Sequence, residues 1–108
     1  MRYSWVSNTL WWDEEDAAHI RSRSTRYPGA TDIEPEWTLE AAADPARLVR
    51  DPDPKSRAAY ARLIGYSPAA EFVLTVIIDP EDFSGVTAWK AGGVELRHYL
   101  QGKGTADA

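Results

Sequence analysis

The chain has 108 residues and no cysteine, and its 12 Lys and Arg against 17 Asp and Glu give a formal charge of -5. Without cysteine there is no disulfide framework, thiolate nucleophile or Cys-based zinc site, which fits a reducing compartment and makes the cytoplasm the expected location. The acidic balance has the wrong sign for non-specific attraction to nucleic acid, and no stretch approaches the roughly 20 apolar residues of a membrane span, so no membrane association is expected.

Length and composition predict a single domain over residues 1–108, with a core from about 9 to 102 and a flexible tail at 103–108. The opening "MRYSWVSNTLWWDEED" holds no apolar run long enough for a signal peptide. "TLWWD" predicts a short strand feeding a helix capped by Asp13, with Glu14, Glu15 and Asp16 in the first turn, where negative charge meets the positive end of the helix dipole. His19 stands four residues after Glu15, the spacing of a surface pair. Residues 24–35 mix Pro, Gly, Thr and Asp without a period and predict a loop, ending where Pro35 opens a second helix. Trp37 and Ala41 give that helix a packing stripe, and Asp44-Pro45 stops it.

Two Asp-Pro pairs in "RLVRDPDPKSR" confine a strand at 47–50 to a sheet edge, followed by a turn. Asp51 and Asp53 on that turn lack a third ligand, so no metal and no cofactor is assigned. "YARLIGYS" and "EFVLTVIID", separated by Pro68, Ala69 and Ala70, predict an antiparallel hairpin. "VTAWKA" follows as a strand with Val86, Ala88 and Lys90 on one face and Thr87 and Trp89 on the other. Gly92 and Gly93 break it, and a short terminal helix over 94–101 closes near Gly102, with Leu96 and Leu100 on its buried flank.

Chemistry is densest in "TAWKAGGVELRHY". Glu95, His98 and Tyr99 are related by three and four positions on the last helix, whereas Arg97 points away from Tyr99. Lys90, at the strand exit, is placed to reach them across the glycines. An ammonium, an imidazole and a phenol supply positive charge and proton transfer, a set suited to a phosphodiester, provided folding gathers them on one open side. The plainer alternative is a surface histidine and a tyrosine flanking the core. Two basic clusters, Arg21, Arg23 and Arg26, then Lys55, Arg57 and Arg62, are either phosphate-facing patches or a solvated, charge-mixed surface.

The order of "WD" opening a first helix, "LIGYS" before the apolar strand "VLTVI", and Ala88, Lys90, Ala91, Glu95, Arg97 and Tyr99 at the chain's end resembles BrnT-type toxins of the RelE superfamily, over Leu10 to about Gln101. The resemblance implies an α+β fold: an antiparallel sheet with two N-terminal helices and a short C-terminal helix. It also implies a metal-free ribonuclease acting on mRNA, free or on the ribosome, and neutralised by a cognate antitoxin. By position Arg62 would contact the phosphate, Lys90 would support developing charge, His98 and Tyr99 would exchange protons, and Glu95 would orient His98 or act as base. Lys55, Arg57 and Arg97 would bind substrate. Trp89 stands before Lys90 where the family commonly has consecutive basic residues. The alternative function is a non-catalytic protein-binding module on the same scaffold, drawing on the five tryptophans, with Trp5 the foremost anchor.

Overall fold

The computed structural model describes residues 10–107; Trp5 lies outside them. The first helix, α1 (Glu14–Arg21), begins where Asp13 accepts a hydrogen bond from the Glu15 amide at 2.9 Å, the cap the acidic run predicts. Ile20 and Ala17 are its buried residues. The segment expected as loop holds a further turn of helix, α2 (Arg23–Arg26). Local side-chain bonds fix it: Asp32 accepts from the Ser24 amide at 2.8 Å and from its hydroxyl at 3.1 Å, and Thr25 Oγ1 donates to the Ser22 carbonyl at 2.7 Å. α3 (Pro35–Ala43) opens on its proline and ends at Asp44, as Pro45 requires.

Four strands follow, β1 (Leu48–Arg50), β2 (Ala61–Ser67), β3 (Phe72–Asp79) and β4 (Ser84–Lys90). They pair antiparallel in the order β1-β2-β3-β4, so the fold is α+β with a meandering sheet. The first strand expected from "TLWWD" contracts to one parallel bridge between Trp11 and Ser84. Glu40 ties the β2–β3 hairpin to α3, accepting from the Ser67 hydroxyl at 2.7 Å and the Ala69 amide at 3.0 Å. Those two donors hold its carboxyl below its ordinary pKa.

One face of the sheet carries Leu63, Leu74, Val76, Ile78 and Ala88, packed with Ile20 of α1, Ile33, and Ala41 and Ala42 of α3. Close approach is built in at two glycines. A Cβ on Gly65 would lie 2.2 Å from the Ala41 carbonyl oxygen, and one on Gly85 would lie 2.3 Å from the Trp12 ring. Trp12 reaches the same layer through its Nε1, which donates to Thr38 Oγ1 at 2.7 Å. Trp37 meets Phe72 edge to face at 5.7 Å, so both tryptophans act in packing.

The other face carries Ile64 and Val73 and receives the last helix, α4 (Gly93–Asp107). The helix runs through Gly102 instead of closing there, and takes in most of the stretch expected as tail. Gly102 lets it lie against β1, since a Cβ at that position would sit 3.0 Å from Leu48 Cδ2. Its buried flank is only half the expected one: Leu96 packs against the second core cluster, but Leu100 is 56% exposed and Tyr99, 2% exposed, packs there with Ile64, Val73 and Ala91. Glu95, Tyr99 and Gly102, at i, i+4 and i+7, form the stripe toward the sheet.

Among the described residues no helix is long and apolar enough to cross a membrane.

Candidate functional site

Strand register sets the polar centre of the α4 face. Ile64, Thr75 and Trp89 stand in one cross-strand row, and Arg62 stands two residues away on the same face, opposite Arg50 on β1 and Ile77 on β3. Glu95, from the first turn of α4, points into that row. It accepts from Thr75 Oγ1 at 2.9 Å, from Trp89 Nε1 at 2.9 Å and from Arg62 Nη1. Arg62 turns its other edge to Asp53, with Nε donating to Oδ2 at 3.0 Å and Nη2 3.0 Å from the same oxygen. The guanidinium carbon also lies 5.5 Å from the centroid of the Trp89 ring.

This network is largely withdrawn from water. Asp53 is 4% exposed, and its other carboxylate oxygen caps the turn by accepting from the Lys55 amide at 3.2 Å. Asp53, considered at first as a cation ligand, is thus an arginine partner. Two of the five guanidinium N–H groups of Arg62 make no bond to a described residue.

Beside the network opens a cavity of about 130 Å³, walled by Arg50, Lys55, Arg62, Val94, Glu95 and His98 among others. Neither Arg50 nor Lys55 forms an ion pair with a described residue. Three cations therefore face two carboxylates here, Asp53 and Glu95, with the His98 imidazole exposed at the rim. Arg50 directly opposite Arg62 is a like-charge pair, which costs stability unless acids or a bound anion offset it. Asp53 and Glu95 offset Arg62; among the described residues Arg50 has no such partner.

The structure thus brings together Lys55, Arg62, Glu95 and His98, and separates the others. Tyr99 is sealed beneath α4, where its hydroxyl donates to Asp44 Oδ2 at 2.6 Å. Burial first, then that bond and the Asp44 charge, raise the phenol pKa far above its ordinary value. Lys90 is on the opposite face of the sheet from Trp89, its ammonium 5.1 Å from the centre of the Phe72 ring. The expected meeting of Lys90, His98 and Tyr99 does not form. Strand alternation turns Lys90 away, and the apolar bulk of Tyr99 draws it into the second core cluster. Arg57 and Arg97 are exposed and wall none of the cavities described here.

Sequence reasoning missed Arg50, Asp53, Thr75 and Trp89 as members of this centre. In the sequence Arg50 and Thr75 are plain strand residues, Asp53 is a turn carboxylate with too few companions for a metal, and Trp89 is a strand residue standing before Lys90.

No family model matches the sequence, and no curated protein matches it.

Proposed function

We propose that this chain is a BrnT-like toxin of a type II toxin–antitoxin pair, checked by a cognate antitoxin in the cytoplasm, and that it cleaves mRNA at the cavity beside α4. The reading is carried by Arg50, Lys55, Arg62 and His98 converging on one opening. They supply fixed positive charge for a phosphate together with an imidazole, a proton donor or acceptor. The α+β class, an antiparallel sheet with helices before it and one after it, is compatible with that resemblance.

In this reaction the RNA 2′-oxygen bonds to the adjacent phosphorus and the phosphorus–5′-oxygen bond breaks. His98 takes the 2′-hydroxyl proton, and the departing 5′-oxygen takes one from solvent. Arg50 and Lys55, which have no acidic partner among the described residues, hold the non-bridging oxygens. Arg62 supplies a rigid positive floor, and Glu95 is a positioning residue because its oxygens are engaged by Arg62, Thr75 and Trp89. Lys90 and Tyr99 leave the catalytic set. Induced expression arrests growth and fragments mRNA, and Arg50→Ala/Lys55→Ala relieves both while the domain stays folded. A folded wild-type protein that neither slows growth nor cuts mRNA overturns the proposal.

One observation favours the non-catalytic module: Arg62 and Glu95 satisfy each other while Tyr99 is sealed in the core. On that reading the purified domain recovers a stable protein partner and is inert toward RNA.

A further inference from the structure

A second and larger groove, of about 670 Å³, lies against Trp89, between the α2 region and the exit of β4. Arg23 and Lys90 line it, with Gly29, Thr31 and Gly92. Neither cation forms an ion pair with a described residue, although the chain as a whole is acidic. Arg23 is held by aromatic rings, its guanidinium carbon 5.2 Å from the Tyr27 centroid and 5.9 Å from that of Trp89. Tyr27 itself is 55% exposed at this end of the molecule.

Trp89 therefore serves two places at once. Its ring meets Arg62 at 5.5 Å toward the α4 cavity and Arg23 at 5.9 Å toward the groove. These distances bound the separation of the two guanidinium carbons at about 11 Å. Two arginines that close, both against one indole ring, match a single nucleic-acid strand, which presents a phosphate at every step and a flat base beside it. An acidic peptide would use the charges, but it has no need of the exposed Tyr27 face or of the indole joining the two sites.

The geometry points to the groove as a second phosphate subsite, in which Arg23 and Lys90 hold a neighbouring nucleotide of the RNA strand whose scissile phosphate lies in the α4 cavity. The inference rests on the ribonuclease proposal for its orientation but not for its binding chemistry. Lys90 thus keeps a role toward phosphate, at a place distinct from the one first expected. Trp89, where the family commonly has a further basic residue, becomes the ring that Arg23 and Arg62 share.

The test uses the full chain and single-stranded RNA of two and five nucleotides, 2′-O-methylated so that binding is read without cleavage, with fluorescence anisotropy as the signal. Wild-type protein binds the five-mer at least tenfold more tightly than the two-mer, and Arg23→Ala/Lys90→Ala abolishes that gain with length. The salt dependence of five-mer binding becomes shallower in the same variant, because fewer counterions are released. Arg21→Ala, at an arginine paired with Glu34 outside both cavities, serves as the charge control and leaves binding unchanged. An unaltered length gain in the double variant overturns the subsite, as does a hexaglutamate peptide that binds the groove as tightly as the five-mer. Loss of the gain in a protein that cuts no RNA sustains the subsite and refutes the ribonuclease proposal alone.

Discussion

The two faces of the sheet are built on opposite principles. The face under α1 and α3 is dry and apolar, and close backbone approach at Gly65 and Gly85 brings its layers together. The face under α4 is held by directional bonds: Glu95 to three donors, Arg62 between two carboxylates, and Tyr99 to Asp44. Burial of apolar area tolerates many sequences, whereas a partly buried charge network stabilises only when every member is present. The second face therefore gives up some robustness and in return holds side chains in fixed positions around an opening.

Removing the centre of the polar face is the strongest way to break this contrast. Arg62→Ala leaves Asp53 and Glu95 without their cation and is expected to destabilise the domain by about 4 kcal/mol, measured by urea denaturation. Asp53→Asn/Glu95→Gln in that background recovers part of the loss, because the uncompensated charge is gone. On the apolar face, Gly65→Ala drives a methyl group into the Ala41 carbonyl and costs about 3 kcal/mol, a steric loss that no change of pH repairs.

Tyr99→Phe is the smallest of these changes and sharpens the comparison, since it deletes one directional bond and keeps the ring. It costs about 1.5 kcal/mol at neutral pH. The phenol ionises less readily in the folded state than in the unfolded one, so its contribution is whole below about pH 10. It is lost as pH rises through the folded value, where the unfolded chain gains by releasing its proton. Wild type thus loses stability above about pH 10 by a margin that the Phe variant lacks, read from denaturation midpoints across that range.

The difference between the faces also explains what the sequence disclosed. The cap at Asp13, the proline start at Pro35, the stop at Asp44-Pro45, the β2–β3 hairpin and the alternation of β4 are local signals, and each appears in the structure. Periodicity alone misjudged the last helix, because Leu100 outranks Tyr99 in hydrophobicity. Tyr99 instead finds an apolar pocket for its ring and, 55 residues away, an acceptor for its hydroxyl. Lys90 was placed correctly on its strand face, yet its neighbours across the glycines were not deducible from spacing. Of the cavity's members, Arg62, Glu95, His98 and Lys55 carried a chemical signal of their own. Arg50 and Asp53 acquire meaning only through the β1–β2 register and the fold of the turn after it, both long-range outcomes.

The most direct test is cleavage of a single-stranded RNA by purified wild type, His98→Ala and Tyr99→Phe, each shown to be folded. If the cavity beside α4 is the phosphodiester seat, wild type and Tyr99→Phe cut the strand, and His98→Ala loses at least about a hundredfold in rate. Undiminished cleavage by His98→Ala, or loss of cleavage in a folded Tyr99→Phe, would contradict it.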